Sequence, residues 1–183
     1  MSRPAPAPTR LEGALVYLRA VRPDDVRGGY GRWMNDPLVN QFLESRFHLT
    51  TEGTLEDYVK RFQGDPDHVF LAVIAIDTDT HIGNVKLGPI DWNHRFADIG
   101  LLIGERAYWG RGIATEVIRL VARYAFDELH LRKVTAGCYS TNRGAIRAFE
   151  KAGFVHEGLR KKQYQCNGEC VDGVMLGLLG PDS

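Results

Sequence analysis

The nine residues Ala107 to Thr115, Ala-Tyr-Trp-Gly-Arg-Gly-Ile-Ala-Thr, hold the residue types from which an anion site is made. Gly110 and Gly112 carry no Cβ, so backbone N–H groups can converge there on a bound group. The amphipathic stretch that starts at Ile113 offers the unpaired donors and the positive dipole end of a helix N-terminus. A pyrophosphate fits such a turn. A plain strand-to-helix turn has the same composition, and Gly-x-Gly by itself does not separate the two. Arg111 is equally suited to meet a phosphate or to stand in solvent.

A second segment narrows the choice. Ser140-Thr141-Asn142-Arg143-Gly144-Ala145-Ile146-Arg147-Ala148-Phe149-Glu150-Lys151-Ala152-Gly153-Phe154 follows the first after one helix and one strand. Together, and in this order, the two resemble the GNAT superfamily of acyl-coenzyme-A N-acetyltransferases. Its pyrophosphate loop reads Arg/Gln-x-x-Gly-x-Gly/Ala, and its second signature reads Asn-x-x-(Ala/Ser)-Ile-x-x-Tyr/Phe-Glu-Lys-x-Gly-Phe. Gly112 and Ala114 take the two small positions of the loop. Trp109 stands where that pattern has Arg or Gln, and the resulting Tyr-Trp-Gly-x-Gly-x-Ala-Thr-Glu is similar to the RimJ/RimL-type branch. That branch acetylates protein N-termini, polyamines and amino sugars. By element order the resemblance runs from about Leu15 to Leu179.

The resemblance implies an α/β (α+β) fold: a mixed, mostly antiparallel sheet flanked by helices, with a splayed parallel strand pair as the acetyl-coenzyme-A cleft. In that frame Trp109, Gly110, Arg111, Gly112, Ile113, Ala114 and Thr115 hold the pyrophosphate. Leu101, Leu102 and Ile103 line the pantetheine arm, or serve as core residues only. Asn142 hydrogen-bonds the arm, or N-caps the helix that follows it. Phe149 sits where many members carry a tyrosine acid. Phenylalanine cannot donate a proton, so Phe149 is cofactor wall or helix core, and Tyr139 or a water serves the thiolate. Acetyl-coenzyme A is the cosubstrate, no metal is implied, and transfer is direct, since no cysteine or serine stands in a nucleophile–base pair.

An amine must be neutral to attack. At pH 7 an α-amine of pKa ~8 needs about 1.4 kcal/mol to lose its proton, whereas lysine at ~10.4 needs about 4.6 kcal/mol. The candidate bases are Asp98, His94, Glu105 and Asp91, near the strand that carries the acetyl end. Asp98 shares a strand face with Gly100 and Leu102, His94 lies in a loop, and Glu105 follows the strand, where it can also sit ahead of the helix dipole. These weak bases suit an N-terminal α-amine or an amino sugar, including a nucleotide-linked one, better than lysine. Polyamines and antibiotics come behind. The competing class is a non-catalytic acyl-coenzyme-A sensor.

Around these segments the periodicity predicts a strand at 14–19, a helix from Asp24 to about Asp36 weakened by Gly28, Gly29 and Gly31, and a helix from Thr51 to Gln63. Strands follow at 69–76, 82–87 and 96–103, where Gly100 predicts a bulge or a close approach. A helix over 111–129, a strand at 133–139, a helix over 142–152 and two strands joined at Asn167-Gly168 complete the chain. With 44% hydrophobic residues the chain is ample for one core, read as a single domain over 11–180 after a disordered lead over 1–10. Its 23 basic and 23 acidic side chains cancel, which argues against nucleic acid or an anionic membrane as partner. No apolar run is long enough for a membrane span, and Cys138, Cys166 and Cys170 read as reduced thiols of a cytoplasmic protein. A homodimer is the assembly that the exposed sheet ends of this family favour.

Overall fold

The computed structural model describes residues 8–181, so residues 1–7 of the lead expected over 1–10 lie outside the described residues. The strands β1 (Leu11–Glu12), β2 (Val16–Ala20), β3 (Val69–Ala75), β4 (Thr80–Leu87), β5 (Phe96–Ile103), β6 (Lys133–Tyr139), β7 (Val155–Cys166) and β8 (Glu169–Leu179) form one sheet, in the order β1-β2-β3-β4-β5-β6-β8-β7. Every residue of β3 is buried, as a strand covered on both faces requires. Helices α1 (Gly29–Asn35), α2 (Pro37–Asn40) and α3 (Glu52–Phe62) cover one face, and α4 (Ile113–Asp127) and α5 (Arg143–Lys151) cover the other.

Strand alternation sorts side chains between two cores. Val69, Leu71, Val73, Ala97 and Ile99 pack with α4 and α5, while Phe70, Ala72 and Ile74 pack with Trp33 of α1 and with Leu55, Val59 and Phe62 of α3. Thr51 starts α3 as a capping box with Thr54, whose backbone N–H donates to the Thr51 hydroxyl at 3.2 Å.

Two expectations are corrected. The single helix expected from Asp24 to Asp36 is a 3₁₀ turn at Pro23–Arg27 followed by the short α1. The break falls at Gly28, with φ −86° and ψ −131°, because the Asp25 carboxylate turns back to accept from Arg22 N–H at 2.7 Å and from Arg19. The bulge expected at Gly100 is also absent from the β4–β5 pair: Lys86↔Gly100 lies in an unbroken antiparallel register from Gly83↔Ile103 to Leu87↔Ile99. The irregularity falls instead in β3–β4, between Val73 and Ile74.

Candidate active site

The sheet opens in its middle. β5 and β6 are parallel and pair only at Phe96↔Lys133, Ala97↔Val134 and Asp98↔Thr135, although β5 runs on to Ile103 and β6 to Tyr139. Beyond Asp98, β5 stays bonded to β4 and β6 stays bonded to β8, so each keeps a free backbone edge toward the other. Gly88 N–H donates to the Asp98 carbonyl at 2.8 Å, which turns the even-numbered residues of β5 toward β4. The odd-numbered Ile99, Leu101 and Ile103 therefore present their N–H and C=O groups to the gap. An extended, amide-bearing arm can pair with such an edge as a strand does.

The glycine loop lies where β5 leads into α4. Gly110 and Gly112 adopt left-handed backbone, φ 74° and 83°, and a Cβ on either would meet nothing within 4 Å. Gly112 is the N-cap and makes no side-chain cap, and the first helical bond runs from Glu116 N–H to the Gly112 carbonyl at 3.1 Å. The N–H groups of Gly112, Ile113, Ala114 and Thr115 are thus the orphan donors of this terminus. Open space above two glycines, uncapped donors and a free strand edge together fit a molecule with a pyrophosphate and an amide-bearing arm, as coenzyme A has.

Trp109 finds a different task from the Arg or Gln it replaces. Its indole N–H donates to the Ile103 carbonyl at 2.7 Å, closing the last acceptor of the open β5 edge. Arg111 pairs with Asp77 at 3.4 Å and lies over the Tyr108 ring, with both charges about half exposed. Asn142 caps α5 through Oδ1, which accepts from Ala145 N–H at 3.2 Å; its amide NH2 takes no part in the cap. Phe149 is 4% exposed in the α4–α5 core, edge-on to Phe154 at 5.0 Å. Leu101 and Ile103 pack against that core, and Leu102 packs against the core on the opposite face.

On the α1–α3 side a cavity of about 540 Å³ reaches the same strand, bordered by Gly100, Leu101 and Leu102. Its wall is mostly apolar and aromatic, with Tyr30, Met34, Leu55 and Phe70 among the lining residues. Polar side chains are set into that wall. Glu44 is the carboxylate that lines it, and it accepts a hydrogen bond from the Tyr139 hydroxyl. Arg46 Nη1 donates to the same hydroxyl at 2.9 Å, and Arg46 Nη2 donates to the Gln165 carbonyl at 2.5 Å, tying the 3₁₀ turn Glu44–Phe47 to β6 and β7. Tyr139 also stacks on Tyr164, centroids 4.3 Å apart. Burial first, and then the Glu44 carboxylate, push the Tyr139 hydroxyl above the usual phenol range. Asn84 and Lys86 of β4 line it as well, and Ser45, His48, Thr50 and Thr54 add further polar side chains.

The structure gathers these groups and leaves several sequence candidates outside. Asp98 shares the cavity's face of β5 but accepts from Thr135 Oγ1 at the closed end of the split, and it does not line the cavity. Glu105 is held by Arg32 and by the Trp33 indole N–H at 2.9 Å. His94 is exposed in the Asp91–Phe96 turn, its N–H donated to Asp91 Oδ1 at 2.8 Å. Glu44, Asn84 and Lys86 escaped the sequence reading. A signal existed for two of them: in His-Ile-Gly-Asn-Val-Lys-Leu, an asparagine and a lysine share one face of an otherwise buried strand.

Comparison with known proteins places this geometry. Residues 16–155 match the Acetyltransferase (GNAT) domain family. A probable N-acetyltransferase of Bacillus subtilis, YjcK, is 35% identical over 179 residues, covering 94% of this chain and 98% of its own. A spermidine N(1)-acetyltransferase of Vibrio cholerae is 28% identical over 158 residues, covering 86% and 88%. Among solved structures, the Vibrio cholerae spermidine N-acetyltransferase in complex with CoA and spermine superposes with a TM-score of 0.81 at 24% identity, covering 91% of this chain and 96% of that one. A GNAT-family acetyltransferase from Bacillus anthracis gives 0.79 at 21% identity, covering 93% and 98%.

Proposed function

The chain belongs to the GNAT acetyltransferase domain family and is an N-acetyltransferase, and from that premise we propose that it moves an acetyl group directly from acetyl-coenzyme A to a primary amine, the α-amine of a protein N-terminus or an amino sugar, including a nucleotide-linked one. The observation that carries this reading is the meeting of two spaces at one strand segment. The split between β5 and β6, with its open edge, and the 540 Å³ cavity share Gly100, Leu101 and Leu102. A donor held along the split and an acceptor held in the cavity meet there without a covalent enzyme intermediate.

Bound acetyl-coenzyme A supplies an activated thioester. Gly110 to Thr115 offer N–H groups to its phosphates, and the β5 edge offers backbone groups to its arm. N–H groups of that edge are also the donors available to an oxygen on which negative charge grows. Glu44, the carboxylate lining the cavity, takes the amine's proton at a carboxylate oxygen, directly or through water. Asp98, two residues from Gly100 on the same face, is the second position for that proton. The Tyr139 hydroxyl, kept protonated at neutral pH by burial and by Glu44, is the proton source nearest that base. No cysteine competes as nucleophile: burial pushes the Cys138 thiol up to about 11, Cys166 is buried in the β7–β8 hairpin, and Cys170, exposed at the start of β8, does not line the cavity.

The acceptor class follows from the wall. A polyamine carries several positive charges, whereas among the described residues Glu44 is the one carboxylate lining the cavity, beside His48 and against the ammonium of Lys86. The likeness of Tyr108-Trp109-Gly110 to the RimJ/RimL branch also supports an α-amine or an amino sugar. The polyamine reading stands second, favoured by the spermidine-acetylating relatives. Release of free coenzyme A over time with an amine library, followed by mass spectrometry of the products, tests the proposal. Acetylated N-termini or amino sugars are expected. Preferential acetylation of internal lysines or of spermidine rejects the acceptor class, and acetyl-coenzyme-A binding with no amine-dependent release rejects the enzyme.

A further inference from the structure

We propose that the acceptor amine also carries an anionic oxygen group, a carboxylate or a phosphate, which Lys86 and Asn84 bind at the β4 floor of the cavity; this rests on the acetyl-transfer reading of the same cavity. Asn84 and Lys86 alternate on one face of β4 and pair across to Leu102 and Gly100, so they stand beside the segment where the cavity meets the split. Gly100 has no side chain to cover them, and a Cβ there would meet nothing within 4 Å.

Lys86 is a half-buried cation with neutral company. Its ammonium donates to the Tyr58 hydroxyl at 3.2 Å and lies 4.9 Å from the centre of the Phe62 ring. Among the described residues no carboxylate comes within 4.0 Å of it. Ring and hydroxyl hold the ammonium in place and leave its charge uncompensated, which in an apolar cavity calls for an anion.

Asn84 adds a donor of fixed sense. His81 Nε2 lies 2.9 Å from the Gly83 carbonyl, which can only accept, so that nitrogen carries the proton. The same N–H faces Asn84 at 2.9 Å, which assigns Oδ1 to that side. The Asn84 NH2 is then left without a partner in a residue only 5% exposed. A buried NH2 group with no acceptor is uncommon, and here it belongs to a residue that lines the cavity. Two donors from successive residues on one face of β4, neither facing a carboxylate, match an oxyanion. They repel a second ammonium.

The test is calorimetry on the whole protein saturated with coenzyme A, with phenylalanine against phenylalaninamide, glucosamine 6-phosphate against glucosamine, and spermidine. In at least one pair the anionic member is expected to bind about tenfold or more tighter than its neutral partner. The pair that responds tells carboxylate from phosphate. K86M should bring the two members of that pair to within about twofold of each other, and K86R should keep the preference. Neutral members binding as tightly in both pairs, spermidine binding tightest, no measurable binding of either anion, or a preference that survives K86M would each overturn the proposal. The wild-type comparison decides even if K86M does not fold. Because the readout is binding, it separates from the transfer reading: an anion preference without acetylation sinks the transfer alone, and acetylation without the preference sinks the anion site alone.

Discussion

Glu44 and Tyr139 are 95 positions apart in sequence and share one hydrogen bond at the wall of the cavity. If Glu44 takes the amine's proton, Glu44→Gln should lower the single-turnover rate at pH 7 by about 10²–10⁴-fold. The loss should shrink as pH rises and the amine deprotonates unaided. A uniform loss at all pH values would make Glu44 a packing residue. Phe149 calls for a different pair of measurements. It is buried against Phe154 in the α4–α5 core, so Phe149→Ala should cost about 3 kcal/mol of folding stability, read from denaturant unfolding. Phe149→Tyr, if the hydroxyl is accommodated, should leave the chemical rate nearly unchanged. A rise of about a hundredfold would show that protonation of the leaving thiolate limits the enzyme.

At the scale of elements, the segment before α1 depends on one ion pair. Arg19 of β2 grips Asp25 with two bonds of 2.8 and 2.7 Å, and both side chains are largely buried. Burial pushes the Asp25 carboxyl up, but Arg19, the Arg22 N–H and His81 outweigh it, and the net position is below the ordinary carboxylate value of 3.8. A carboxyl lowered in the fold contributes stability that is full above its unfolded pKa and is lost as pH falls through the lowered folded value. Asp25→Asn should therefore cost about 2 kcal/mol at pH 7, with the gap to wild type narrowing below about pH 4. A gap that stays constant to pH 2 would count against the pair. The same elements show what a sequence carries. β3, α3, α4, α5 and the Asn167-Gly168 hairpin are local in cause, set by apolar period, caps and turn residues, and were legible. The split α1 was not, since Arg19 reaches Asp25 across a strand end. The glycine turn ahead of α4 was legible because its open donors are backbone groups of one segment, whereas Glu44, Asn84 and Lys86 come to one cavity only when β4 and a 3₁₀ turn are brought together.

Across the whole molecule the sheet is a partition, with the glycine loop and Phe149 on the α4–α5 side and the 540 Å³ cavity on the α1–α3 side. Val59, 1% exposed on α3, and Phe149 belong to different cores, so Val59→Ala and Phe149→Ala should destabilise additively, within about 0.5 kcal/mol, in one shared unfolding transition. Two separate transitions would mean that the cores fold apart. The partition is written at single-residue pitch: in β5, Ile99, Leu101 and Ile103 attend one side while Asp98, Gly100 and Leu102 attend the other. Point substitutions along such a strand can alter one side and leave the other alone, but the loss of one codon would exchange the two sets and ruin both. A central strand of this architecture is therefore tolerant in its letters and intolerant in their count.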